Sequence, residues 1–280
     1  MSAISEIAAV PSALRRAAHN VEVALALLAR PVRGRVVEPW PVDRRLVAAA
    51  AVTSLVLLLL GMFFIDGPVM RGVTHLPSAI IWLFDQITDF GKSGWFLWPL
   101  GLLFLALAAL PETLSRISQL VLAAVMVRVG FLFTAIAVPG LFDTIIKRLI
   151  GRGRPTASTT IDPTLFHLFG WNAEFASLPS GHATTAFAVL VAFGTLWPRA
   201  RTAFLLYALA IAVSRVVVMG HYPTDVVAGA VVGSVGAMMV RRWFALRHLG
   251  FSVGADGEVR QFAGPSLSRI KAVARDLLSE

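Results

Sequence analysis

Apolar residues gather into six long windows, at 46–65, 95–110, 117–146, 180–197, 203–219 and 225–244, with short polar stretches between them. A membrane-crossing helix needs about 20 predominantly apolar residues, and each window meets or approaches that length. The pattern therefore predicts six crossings. Pro111 and Glu112 close the second window, and Pro139 with Gly140 predicts a kink in the long third. Between the first two windows, residues 76–94 carry Asp85 and Asp89 among Trp and Phe, which suits a helix lying in the membrane interface better than a seventh crossing. Residues 13–30 combine an apolar run with nearby arginines; this is either a second interfacial helix or a plain soluble one. No internal repeat or low-complexity tract interrupts the pattern. The predicted architecture is all-α, a bundle of six transmembrane helices over 46–244, with an N-terminal segment at 1–45 and a basic tail at 245–280.

Composition agrees with that reading. Of 280 residues, 57% are hydrophobic and only 15% charged, with a mean hydropathy of +0.75, outside the balance of a soluble domain. The formal net charge of +9 raises the possibility of a nucleic-acid partner. The cations cluster at window edges, however, without the aromatic-interleaved stripe of a nucleic-acid binder, so that class is excluded. The absence of cysteine removes disulfides, thiolate metal sites and thiol nucleophiles. Glu6, Pro11, Arg15 and Arg16 break any early apolar run, so the first crossing is expected to act as its own insertion signal.

Lys and Arg set the orientation. Seven arginines precede the first window, and seven basic residues occur from Arg241 onward; Arg116, Arg199 and Arg201 lie in loops on the same side. Both termini are therefore expected in the cytoplasm. The exception is "KRLIGRGRP", beginning at Lys147, which puts four cations in nine residues on the opposite side. At that same membrane level the alternation places "PSGH" (179–182), Ser214 and Arg215, and His221 and Asp225. Ionisable residues this close to hydrocarbon are costly and usually functional.

Each group suits a phosphate. Ser180 is placed to cap the fourth helix, with Pro179 and Gly181 shaping the turn, so that free N–H groups face an anion. Arg154 and Arg215 offer planar forks and Lys147 a point charge. No carboxylate cluster stands ready for Mg²⁺, so these cations are expected to supply the charge stabilisation without a metal or other cofactor. Asp225, four residues after His221, is close enough to accept the Nδ1 proton and free Nε2 as a nucleophile. His182 remains as the general acid.

Together, "KRLIGRGRP" (Lys-x6-Arg-Pro), "PSGH" and "SRVVVMGHYPTD" (Ser-Arg-x5-His-x3-Asp) resemble the three-part signature of the type 2 phosphatidic acid phosphatase superfamily. The resemblance covers roughly 46–244. It implies phosphate binding by Lys147, Arg154, Ser180, Gly181 and Arg215, acid catalysis by His182, nucleophilic attack by His221 and orientation of that ring by Asp225. It also implies a metal-independent hydrolysis of a phosphorylated lipid at the periplasmic face of a bacterial inner membrane. Phosphatidate, phosphatidylglycerophosphate, undecaprenyl diphosphate and lipid A phosphates all fit, and oligomeric state is left open. A lipid phosphotransferase with the same site, or a non-catalytic transporter or scaffold, are the alternatives; a vanadate haloperoxidase is disfavoured by the lipid-level pocket.

Other polar residues have plainer readings. His19, His75, His167 and His248 fit no motif and are expected at the surface. Asp143, one helical turn before Lys147, is expected to pair with Lys147 or Arg148, and Arg148 and Arg152 to attract anionic headgroups. Arg128, inside the third window, is expected to snorkel toward the cytoplasm. Leu165, Phe166, Leu168, Phe169, Trp171 and Phe175 make the loop at 156–178 an interfacial one.

Overall fold

The apolar windows fold as helices. The computed structural model describes residues 12–32, 43–110 and 115–278; the predicted stop at Pro111 and Glu112 lies outside these. The helices are α1 (Ser12–Ala29), α2 (Arg44–Gly61), α3 (Gly67–Val73), α4 (Ser78–Asp89), α5 (Gly94–Ala108), α6 (Arg116–Ile150), α7 (Gly181–Leu196), α8 (Arg201–Val217), α9 (Pro223–Leu246) and α10 (Leu267–Leu278). The strands β1 (Phe251–Val253) and β2 (Val259–Gln261) form one antiparallel hairpin. Among the described residues, five helical stretches are long and apolar enough to cross a membrane: Arg44–Val73, Ser78–Ala108, Arg116–Ile150, Pro198–Val217 and Pro223–Leu246; Gly181–Leu196 is apolar but shorter.

Two windows differ from the sequence expectation. The first does not end at residue 65. A π-turn at Met62–Asp66 carries α2 directly into α3, and Pro68 follows the π-turn at the start of α3. In the second difference, α4 is followed by α5 after a break at 90–93, so Ser78–Ala108 reads as one apolar stretch rather than an isolated interfacial helix and a separate crossing. Helix α6 runs unbroken through Pro139. Leu55, Leu57, Phe63 and Phe64 on the first stretch and Trp98, Leu102 and Leu105 on α5 are exposed, a surface suited to hydrocarbon rather than water.

Contacts divide the chain into two units. The first comprises Met1–Val36, Trp98–Phe131 and Trp243–Glu280. Its centre is Phe131, whose ring meets Phe244 at 5.6 Å and Phe251 at 4.8 Å edge-on. Asn20 of α1 donates to the Ala108 carbonyl at the end of α5. Arg128 donates to the carbonyls of Ala124 and Phe262, so main-chain oxygens receive its guanidinium.

The second unit comprises Val37–Leu97 and Leu132–Arg242. At its heart α7 buries Ala183, Thr184, Ala186, Ala188, Val189 and Ala192, and it packs extensively on α8. Helix α9 approaches α7 backbone to backbone. A Cβ at Gly229 would run into the Ser180 carbonyl, and one at Gly233 into the Thr184 carbonyl; at Gly236 it would lie 2.7 Å from Pro139. Small residues permit such close helix packing where lipid offers no hydrophobic drive.

Gly229→Ala should therefore cost about 1–3 kcal/mol, read as a lower midpoint of thermal unfolding in detergent. Gly72→Ala, where an added Cβ meets nothing within 4 Å, should leave the midpoint unchanged or slightly raised.

Candidate active site

The ends of α6, α7, α8 and α9 meet within the second unit, and the backbone explains how. Helix α6 stops at Gly151, whose φ of +62° is open to glycine and whose missing Cβ makes room for the His167 carbonyl. From there the chain threads between two other segments. His167 N–H donates to Gly151 at 2.7 Å, Gly153 to Leu165 at 2.8 Å, Arg154 to Glu174 at 2.8 Å and Ser177 to Arg152 at 3.1 Å. This lacing fixes Arg152 and Arg154, and with them Ser177.

At the start of α7, Ser180 occupies the N-cap position as expected, but its hydroxyl does not cap the helix. Its Oγ is buried without a hydrogen-bond partner, while its backbone N–H donates to the Asp225 carbonyl at 2.9 Å. The N–H groups of Gly181, His182 and Ala183 lie in the first turn, where a helix supplies no acceptor. A Cβ on Gly181 would sit 3.1 Å from Lys147 Nζ and 3.2 Å from Asp143 Oδ2, so glycine lets the lysine reach this helix end. Lys147 is held there by Asp143 at 2.5 Å, the pairing expected from their spacing, and Thr184 donates to the same carboxylate at 3.3 Å.

Arg215, near the end of α8, donates to Thr88 Oγ1 at 2.7 Å. Gly220 faces its guanidinium, where a side chain would overlap it. The N–H groups of Gly220 and His221 both donate to the Arg215 carbonyl, at 3.0 and 3.1 Å. That tight turn seats the histidine beside the arginine.

His221 is buried, and its Nδ1 lies 2.8 Å from the Ser177 carbonyl but 3.8 Å from Asp225 Oδ2. The expectation that Asp225 itself takes the Nδ1 proton is thus corrected: the hydrogen-bond acceptor is a main-chain oxygen. A carbonyl can only accept, so Nδ1 carries the proton and Nε2 is left with a bare lone pair. Asp225 is engaged otherwise. Its Oδ1 accepts from Arg152 Nη1 at 2.6 Å, and its Oδ2 from Ser177 Oγ at 2.6 Å and Tyr222 N–H at 3.0 Å. Burial pushes the His221 imidazole down to about 4; Asp225 opposes that shift, and Arg215 and Arg154 add to it. Burial likewise lowers Arg154, against the pull of Asp225.

His182 is half-buried and lines a cavity of about 440 Å³ with Lys147, Gly181, Lys92, Leu97 and Ile136. Gly91, in the turn between α4 and α5, lies against the His182 ring, and Tyr207 holds that turn through the Phe90 carbonyl at 2.9 Å. The four histidines outside the motifs are exposed. Among the described residues no three His, Asp or Glu side chains gather as metal ligands.

Arg152 differs most from expectation. Far from attracting headgroups, it is 0% exposed and makes five hydrogen bonds: to Asp66, Asp225, Thr224 and twice to the Pro163 carbonyl. Arg148 donates to the carbonyls of Trp171 and Asn172. Sequence reasoning also missed Ser177, Thr88 and Asp66. For Asp66 the signal existed, because a carboxylate directly follows the apolar run "GMFFI". Ser177 contributes a main-chain oxygen, which no side-chain pattern reveals.

Residues 128–249, which hold all three signature segments, match the model of the PAP2 superfamily. A lipid A 1-phosphatase of Rhizobium etli is 35% identical over 199 residues, covering 71% of this chain and 85% of that protein. The chain belongs to the PAP2 superfamily. A second relative with the same description, from Rhizobium johnstonii, is 33% identical over 210 residues, 75% of this chain and 85% of its own. The crystal structure of Aquifex aeolicus LpxE aligns with a TM-score of 0.44 at 20% identity, over 61% of this chain and 91% of that one. In this PAP2 protein the signature segments occupy the end of α6 with its following loop, the start of α7, and the α8–α9 turn.

Because the folded His221 value of about 4 lies below the ordinary 6.5, the unfolded chain takes up this proton first as pH falls. Its contribution to stability is complete above about pH 6.5 and is lost on the way down to about pH 4. In an NMR titration of histidine-labelled protein, the His221 ring should remain neutral at pH 5.5; a midpoint near 6.5 would contradict the buried geometry.

Proposed function

We propose that the protein is a lipid phosphatase of the bacterial inner membrane, which removes phosphate from a phosphorylated lipid at the periplasmic face without a metal. One observation carries the reading. Arg154 Nε, Ser180 Oγ and Arg215 Nε, one atom from each signature segment, are buried without a hydrogen-bond partner. Leaving a polar group buried and unpaired costs about 1–3 kcal/mol. Phosphate, with several acceptor oxygens, meets such donors together with the free N–H groups of α7.

In this reading His221 Nε2 attacks phosphorus while His182, as its imidazolium, protonates the departing lipid oxygen. A bond forms from nitrogen to phosphorus and the phosphorus–oxygen ester bond breaks, leaving a phosphohistidine and a lipid alcohol. Neutral His182 then takes a proton from water, whose oxygen displaces Nε2 and releases inorganic phosphate. Lys147, Arg154 and Arg215 stabilise the charge on the equatorial oxygens. Asp225 acts on the ring through Ser177 rather than by direct contact. The names of the two Rhizobium relatives favour the 1-phosphate of lipid A as first substrate. The arginine bias supports cytoplasmic termini, with 46–244 as the catalytic membrane unit between cytoplasmic segments 1–45 and 245–280.

The test is phosphate release by detergent-purified protein in EDTA, against lipid A 1-phosphate, phosphatidate, phosphatidylglycerophosphate and undecaprenyl diphosphate. His221→Ala should reduce release to background, and His182→Ala should slow it about 10²–10⁴-fold on alkyl phosphates, with less loss where the leaving group is good. Vanadate should compete with substrate. Phosphate appearing on a second lipid instead of in solution would assign phosphoryl transfer, and no turnover of any lipid by folded protein would overturn the reading.

A further inference from the structure

A polar cluster of the second unit is built on Arg152, a residue that the signature does not demand. Its guanidinium has no solvent exposure and uses all five N–H groups. On one side is Asp66, at 2.7 Å, from the π-turn between α2 and α3; on the other is Asp225, at 2.6 Å, from the first turn of α9. Thr224 joins the two sides, its hydroxyl accepting from Arg152 at 2.8 Å and donating to Asp66 Oδ2 at 2.5 Å. Its backbone N–H donates to Asp66 Oδ1 at 3.0 Å. The Tyr222 ring lies 4.4 Å from the guanidinium carbon.

We propose that Asp66 and Arg152 are positioning residues for the His221 nucleophile, acting through Asp225 and Ser177. This rests on the phosphatase reading for its effect on turnover, but not for its effect on the ring. Arg152 holds Asp225 Oδ1, which leaves Oδ2 to Ser177 Oγ and the Tyr222 N–H. Ser177 is thereby set with its carbonyl at Nδ1 of His221. If Arg152 were absent, Asp225 would be free to turn toward Nδ1 and its charge would be unopposed there. Asp66 completes the arrangement by accepting from the other guanidinium nitrogen, which fixes the guanidinium between the two carboxylates, and through Thr224 it ties the start of α9 to the π-turn. The groups facing His221 are the Ser177 carbonyl before α7, Arg154 after α6, Arg215 on α8, His182 on α7 and Asp225 on α9. Arg152 and Asp66 bear on the ring through the last of these.

Removing Arg152 alone strands two buried carboxylates, whereas removing Asp66 with it leaves only Asp225 unpaired. The test therefore uses Asp66→Asn combined with Arg152→Gln, which leaves net charge unchanged, alongside Arg152→Lys. Two quantities are read in the full-length protein: the NMR titration of the His221 ring, and kcat and KM on a short-chain phosphate ester. In the double variant the ring midpoint should move up from about 4, toward or past the ordinary histidine value. At neutral pH kcat should fall up to about a hundredfold, with KM within about twofold, because the phosphate-binding cations are untouched. Arg152→Lys should keep the midpoint low and recover most of kcat. A folded double variant with an unmoved midpoint and wild-type kcat would overturn the proposal. If the double variant does not fold, Thr224→Val takes its place, with a smaller upward shift expected and an unmoved ring again decisive against. An inactive wild type would sink the phosphatase reading alone, since the ring titration still reports on the pair.

Discussion

A guanidinium sealed from water between two carboxylates is the constraint on which the second unit turns. Arg152 joins the loop after α6 to the π-turn at Asp66 and to the start of α9 at Asp225. Burying three charges in a row is tolerable only when every donor is used and every carboxylate oxygen is served, and here one guanidinium is shared by two carboxylates whose remaining capacity is met by Ser177, Tyr222 and Thr224. The consequence reaches the histidine. With Asp225 occupied by Arg152, a main-chain carbonyl sets the tautomer of His221, and main-chain oxygens cannot change protonation state with pH.

Around that centre, positive charge is concentrated with little local relief. Lys147 has Asp143, but Arg154 and Arg215 have buried Nε atoms with no partner. The fold holds these cations in place by neutral means: Thr88 on Arg215, backbone lacing on Arg154, and glycines at 181 and 220 that make room for Lys147 and Arg215. A site assembled in this way is stabilised when an anion occupies it, because ligand binding to the folded state alone shifts the folding equilibrium.

Much of this was legible in the sequence, and the parts that were not share a cause. Helical character followed from the apolar windows, and Lys147, Arg154, Ser180, Gly181, Arg215, His221 and Asp225 converge as their placement at helix ends required. The Asp143–Lys147 pair followed from helical spacing. Missing were interactions whose partners are remote in sequence or belong to the backbone. Asp66 meets Arg152 across 86 positions, the acceptor for His221 is a carbonyl, and a π-turn leaves no compositional mark that would have extended the first window to residue 73. Arg152 was misjudged because a cation in a loop reads as solvent-facing until its two carboxylates are seen to come from distant helices.

The loop that braces the first signature also carries the most exposed aromatic among the described residues, Trp171 at 82%, beside Leu168 and Phe169. Arg148 grips that loop through the Trp171 and Asn172 carbonyls, and Glu174 of the same loop accepts from the Arg154 N–H. Apolar side chains at such a rim are stable only against an apolar medium. Lipid packed against that rim would therefore act as a bound subunit does, bracing the loop and, through the Glu174 carbonyl, the backbone at Arg154.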